Sequence, residues 1–156
     1  MILEKQELKL SNLISLRKKM TQQEIPIEIK KLEEYLKKMG AEKNGLMITA
    51  TFGIEQSGFD QILDMEILVP LNKEVATNDN YKLKKDFFLT NALKITHVGN
   101  PALLQNTYNE LNKYIQEKCV QPITAAYNFT IKDVIDPLKM DEAVVDIYVG
   151  INPSIL

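Results

Sequence analysis

Apolar positions recur along this chain with two different periods, and each change of period marks an element. Ile25, Ile29, Leu32, Leu36 and Met39 follow 4-3-4-3 spacing, and Leu104, Tyr108, Leu111 and Ile115 follow 4-3-4. This is the stripe of an amphipathic helix, in which residues three and four apart share a face. The starts are marked by Pro26 and by Asn100-Pro101, since proline suits the first helical turn, where its missing N–H would have no partner. Gly40 is placed to end the first helix. Thr21 with Glu24 offers an earlier capping box, but Pro26 would then fall inside the helix, so the later start is preferred.

After each helix the period falls to two. Leu46, Ile48, Ala50, Phe52 and Ile54 alternate with more polar neighbours, and so do Ile123, Ala125, Tyr127, Phe129 and Ile131. Met65, Ile67, Val69 and Leu71 repeat the pattern, as do Val145, Ile147, Val149 and Ile151. Such alternation predicts strands with one apolar face. Gln56-Ser57-Gly58 and Asp136-Pro137 supply turn chemistry for antiparallel pairing. A leading strand is expected before each helix, at roughly 7–18 and 86–98, where Ile14 and Leu16 correspond to Leu93 and Ile95.

The two halves also match in order. Leu32-Glu33-Glu34-Tyr35-Leu36 aligns with Leu111-Asn112-Lys113-Tyr114-Ile115, Ile48 to Phe52 with Ile123 to Tyr127, and Met65 to Asn72 with Val145 to Asn152, at offsets of 79, 75 and 80. The sequence therefore predicts one α+β domain over 1–156. It is a tandem pseudo-repeat of two βαββ units forming a curved antiparallel sheet, with two main helices packed on one face. The first copy covers about 7–72, a polar link 73–85, and the second copy about 86–152. One copy has a single helix covering one face of three strands, so burying the other face calls for the second copy.

Composition narrows the function classes. A length of 156 residues, 45% hydrophobic and 26% charged, suits one globular domain rather than a disordered or membrane chain. Nineteen Lys+Arg against 21 Asp+Glu leave a formal charge of −2, too weak a field to draw nucleic acid. Basic clusters such as Arg17-Lys18-Lys19 and Lys82 to Lys85 have acidic neighbours and read as solvated faces. No signal-peptide core or membrane-length apolar run is present, so a cytoplasmic protein without membrane contact is expected.

Catalytic resources are thin. The chain has one cysteine, Cys119, and one histidine, His97. The first reads as an ordinary buried or half-buried thiol closing a helix, the second as a structural or surface residue. Neither zinc nor haem finds a sufficient ligand set, no phosphate-cradling glycine motif occurs, and no cofactor is expected. Glu66 and Asp146 occupy the same place in the two copies, opposite the apolar strand face. Alternation turns them toward solvent, and the functional alternative turns them toward a cleft, where they would balance a basic ligand or partner. Phe52, Tyr127, Phe129 and Tyr148 are aromatic surface for a flat ligand, or else core. Trp is absent, which removes the strongest cation–π platform.

His97-Val98-Gly99, Tyr108 and Tyr114, Ala125-Ala126-Tyr127 and Val145-Asp146-Ile147-Tyr148-Val149 together resemble the GyrI-like superfamily, the effector-binding fold related to SOUL haem-binding proteins. The resemblance covers nearly the whole chain. It implies two units with a cleft between them for flat, often cationic or amphipathic molecules. In drug-binding members a glutamate two positions before a strand tyrosine supplies the counter-charge, and some members use the same pair for hydrolysis. The tyrosine position matches Tyr127, but the glutamate position holds Ala125. The expectation is a standalone, non-catalytic module holding a small apolar or amphipathic ligand or a protein partner, without direct nucleic-acid contact. The ligand-binding candidates are Phe52, Glu66, Tyr127, Phe129, Asp146 and Tyr148. Alternatives implied by the resemblance are an accessory or chaperone-type protein for a type VII secretion toxin, an inhibitor of a larger enzyme, and a small-molecule hydrolase.

Overall fold

The computed structural model describes residues 1–155. The chain is α+β, with antiparallel strands and two main helices. The elements run β1 (Ile2–Met20), α1 (Ile25–Lys38), β2 (Ile48–Ser57), β3 (Asp60–Pro70), β4 (Tyr81–Val98), α2 (Leu104–Glu117), β5 (Pro122–Lys132) and β6 (Val144–Ile151). Two compact units are distinguished: Lys9–Phe87, and Met1–Leu8 with the chain from Phe88 onward.

In the Lys9–Phe87 unit, β3 lies between β1 and β2 and is antiparallel to both, with Leu16 opposite Ile67 and Ile48 opposite Leu68. The β2–β3 hairpin turns at Gly58-Phe59, where Gly58 takes a φ of 63° that a side chain would disfavour. The stripe of α1 buries Leu32 and Leu36 against Ile14, Leu16, Met65, Ile67 and Val69. The face expected for Met65, Ile67, Val69 and Leu71 is therefore the core face. The opposite face is not simply solvent, because Leu13, Ile48 and Leu68 on it are fully buried.

The helix start combines both sequence signals. It begins at Ile25 with Pro26 in its first turn, and half of the capping box also forms, the Thr21 N–H donating to the Glu24 carboxylate at 2.9 Å.

In the unit from Phe88 onward, β6 lies between β4 and β5, again antiparallel to both. Leu111 of α2 is fully buried against Leu93, Ile95, Val145, Ile147 and Val149, with Tyr108 and Ile115 packed at the margin. A short 3-10 turn, Pro101–Leu103, leads into α2, and the Asn100 side chain caps it by accepting from the Ala102 N–H. Another 3-10 turn, Pro137–Glu142, follows the expected Asp136-Pro137 signal, with Asp136 as its cap.

Several boundaries differ from those read in the sequence. β1 begins at Ile2 rather than near residue 7, and β4 begins at Tyr81, taking up the end of the segment read as a link. Its polar letters hid an alternation in which Tyr81, Phe87 and Leu89 are buried. The alternation read through β2 breaks at a bulge between Thr51 and Gly53, where Phe52 is the extra residue. Beyond it, Ile54 is exposed. In β5 the pairing is irregular between Pro122 and Ala126. There the Thr124 hydroxyl accepts the Gly150 N–H at 2.8 Å, standing in for a ladder bond. A Cβ on Gly150 would lie 2.7 Å from the Thr124 methyl, which is why glycine sits there. After this irregularity Ala126 and Asn128 pair with Val149 and Ile147 on the α2 face, and Tyr127 and Phe129 fall on the other.

Candidate functional site

The face of the β4–β6–β5 sheet that α2 leaves uncovered gathers four of the six candidate residues. Cross-strand pairing aligns Tyr127, Tyr148 and Lys94 in one row and Phe129, Asp146 and Thr96 in the next. The Phe129 and Tyr148 rings meet edge to face, centroids 5.2 Å apart. Phe129 is buried, and Tyr127 and Tyr148 are half-buried. Asp146 accepts from the Thr96 hydroxyl at 2.5 Å and pairs with the Lys94 ammonium at 3.3 Å, so both its oxygens are engaged. Burial works against the Lys94 ammonium, yet Tyr148 and Asp146 outweigh it and hold its pKa above the ordinary value.

The other two candidates belong to the Lys9–Phe87 unit. Phe52, displaced by its bulge, lies under the Arg17 guanidinium, 3.8 Å from its ring centroid, while Arg17 forms a two-pronged bond to Asp64 at 3.1 and 3.2 Å. Glu66 stands opposite Arg17 on β1 and Ala50 on β2. The solvent-facing expectation fails for it. Glu66 is only 3% exposed, because Leu13, Ile48 and Leu68 bury this strand face as well. Its Oε2 accepts from the Ser15 hydroxyl at 2.7 Å and from Lys84 at 2.6 Å, whereas its buried Oε1 meets no hydrogen-bond donor.

The partners of these acids were not singled out from sequence. Ser15 had a signal, a hydroxyl inside the apolar run Leu13 to Leu16, where an interior polar group must find a partner. Lys94 and Thr96 flank Ile95 at the period-two positions that register later sets beside Tyr148 and Asp146. Lys84 carried no such mark, because it stands in a basic cluster that reads as solvated.

His97 is buried and structural. Its Nε2 faces the Asn100 carbonyl at 3.1 Å, which can only accept, so in the neutral ring Nδ1 accepts from the Thr107 hydroxyl at 2.6 Å. Tyr108 donates to Asn128, and burial pushes its phenol above the ordinary pKa. Cys119 departs from the expectation of a buried thiol. It is exposed, because it lies just beyond α2 rather than in its packed stripe. A cavity of about 450 Å³ is lined by Glu4, Leu93, Cys119, Val120 and Ile151 and includes none of the six candidates. Among the described residues, no group of three or more His, Cys, Asp or Glu side chains is arranged to hold a metal ion, and no helix is long and apolar enough to cross a membrane.

No family model matches the chain and no curated protein matches it. Solved structures do. EcmrR in its complex with DNA superposes with a TM-score of 0.79 at 14% identity, covering 99% of this chain and 58% of that one. The EcmrR C-terminal domain alone gives 0.73 at 13%, covering 96% and 97%. A hydrolase from Listeria innocua gives 0.56 at 13%, covering 96% and 93%. SAV2435 bound to tetraphenylphosphonium gives 0.53 at 14%, covering 97% and 95%. This chain thus spans little more than half the length of the EcmrR chain in the DNA complex. At these identities the shared property is the fold alone, and the chain shares the fold of these structures, in keeping with the resemblance read from its sequence.

Proposed function

We propose that this chain, with its GyrI-like effector-binding fold, is a non-catalytic module that binds a small apolar or amphipathic molecule. The carrying observation is Glu66, a buried carboxylate with one oxygen that meets no donor. Leaving such an acceptor unsatisfied costs about 1–3 kcal/mol or more, a poor choice for an acid whose only task is structural. SAV2435, which shares the fold, is bound to tetraphenylphosphonium, a small apolar cation. In the other unit, taken by itself, the half-buried Tyr127 and Tyr148 beside the buried Phe129 form a separate aromatic face suited to a flat molecule.

Relatives of this fold include a hydrolase, so the absence of catalysis is argued from residues. Ala125 stands where the catalytic glutamate of the resembled hydrolases would be. Asp146 is engaged by Thr96 and Lys94, and Glu66 already holds a serine and a lysine through one oxygen. The matching βαββ order of the two units supports the duplication read from sequence.

A thermal-shift screen against amphipathic aromatic compounds tests the reading. A ligand at a hundred times its Kd is expected to stabilise the folded chain by about 2.7 kcal/mol. No stabilisation across a broad library would overturn it and leave the protein-partner alternative, which the exposed Ile54 and Phe59 near the β2–β3 turn favour.

A further inference from the structure

Building on the binding reading above, we propose that Glu66 selects an uncharged amphipathic ligand carrying an O–H or N–H donor, rather than a lipophilic cation. The charge at Glu66 is already balanced by contact. Lys84 lies 2.6 Å from Oε2, and Arg17, opposite on β1, is matched by its two-pronged bond to Asp64. Glu66, Lys84, Arg17 and Asp64 therefore sum to zero. A cation brought to this position finds no uncompensated negative charge and faces a lysine and an arginine, so its desolvation goes unrepaid.

What Glu66 lacks is directional. Oε1 is buried and accepts no hydrogen bond, while Ser15 and Lys84 both converge on Oε2. A ligand donor meeting Oε1 would form a charge-assisted bond and remove the cost of an unsatisfied acceptor at the same time. The same strand face has room one row further along. A cavity of about 90 Å³ is lined by Lys19, Gly53, Glu55, Ile62 and Asp64, and nothing lies within 4 Å of the point a Cβ on Gly53 would take. That volume is about three waters' worth. It admits a small polar head group, not a whole ligand.

The test uses the intact chain and three probes: para-phenylphenol, its methyl ether and tetraphenylphosphonium, each titrated calorimetrically. The phenol is expected to bind roughly ten to a hundred times more tightly than the ether, the range set by one charge-assisted hydrogen bond. Tetraphenylphosphonium is expected to bind the native chain more weakly than the phenol. Lys84→Met, a change at a partly exposed side chain, uncovers the carboxylate's charge and should raise tetraphenylphosphonium affinity by roughly tenfold. Glu66→Gln should abolish the preference for phenol over ether, and if that variant does not fold, the native chain and Lys84→Met still decide. Equal affinity for phenol and ether, or tighter binding of the cation by the native chain, overturns the donor assignment while leaving the binding reading intact. Failure of all three probes, together with a blank thermal-shift screen, overturns the binding reading itself.

Discussion

Glu66 in β3 and Asp146 in β6 each lie on the strand face turned away from the local helix, each flanked by two paired strands. The residues opposite them differ: Arg17 and Ala50 for Glu66, Thr96 and Phe129 for Asp146. Asp146 keeps some exposure, 14% of its side chain, and one partner on each oxygen. Glu66 keeps only 5%, and both partners crowd onto one oxygen. Burial thus comes with full satisfaction in neither place. The more accessible acid is the better paired, which is the reverse of what stability alone would select. That inversion is the ground on which Glu66, and not Asp146, is proposed to meet a ligand donor.

The same contrast extends to the helices, and the largest effects test it there. Leu32 in α1 and Leu111 in α2 are both 1% exposed. Replacing either with alanine should cost about 2–5 kcal/mol in urea unfolding. One turn on, the units part, since Leu36 is buried and Ile115 only half-buried. Leu36→Ala should therefore cost about 1–2 kcal/mol more than Ile115→Ala. Equal losses would mean that α2 packs as deeply as α1 and that the asymmetry is not energetic.

The helix ends offer a smaller and opposite pair. Both helices close in the same hydrogen-bonded form, Ala41 N–H reaching the Leu36 carbonyl at 2.9 Å and Val120 N–H the Ile115 carbonyl at 3.2 Å. The residue in the left-handed region is Gly40, at φ 68°, in one and Cys119, at φ 54°, in the other. A non-glycine residue there costs about 1–2 kcal/mol, partly offset by glycine's greater freedom when unfolded. Cys119→Gly should stabilise by about 0.5–1 kcal/mol. Gly40→Ala should destabilise by about 1 kcal/mol, since its Cβ would make only an ordinary contact with Lys73 and the penalty is in the backbone. Shifts of the same sign in both variants would contradict the common geometry.

How much of this was legible in the sequence depends on whether a feature is set by period or by partner. Both helix stripes and the core faces of β3 and β6 follow from spacing alone, because one buried face fixes which residues must be apolar. Phe52 and Tyr127 escape that rule for different reasons. Phe52 is the extra residue of a bulge, which nothing in the letters Thr51-Phe52-Gly53 counts against the neighbouring strand, whereas Tyr127 keeps the period of two in β5 but on the face that α2 leaves uncovered. The candidate site was half visible. Glu66 and Asp146 were found as equivalent positions, but what distinguishes them is Lys84, Ser15, Lys94 and Thr96, and those pairings are created by register.

The smallest effect concerns acid. The first turn of α1 carries Glu28, which lies 2.8 Å from Lys18 and 3.5 Å from Lys31, whereas the first turn of α2 has no acidic residue. The hydrogen bond from Lys18 holds the Glu28 carboxyl below its ordinary value of 4.5, against the opposing effect of burial. A carboxyl depressed on folding contributes stability that is complete above its unfolded pKa and is lost as pH falls through the folded one. Acidification below about 4.5 should therefore loosen α1 by a mechanism that α2 lacks. Asp64, held down by Arg17, adds to the same acid limb, so total stability cannot separate the two carboxyls. Glu28→Gln can. It should lower stability near neutrality and flatten the decline between pH 5 and 3, so that the curves of the native chain and the variant converge on the acid side. Hydrogen exchange should place the pH-dependent opening in α1 amides and not in α2. Parallel pH curves would show that the Lys18–Glu28 pair, for all its short contact, is a surface ion pair with no part in the stability of the helix.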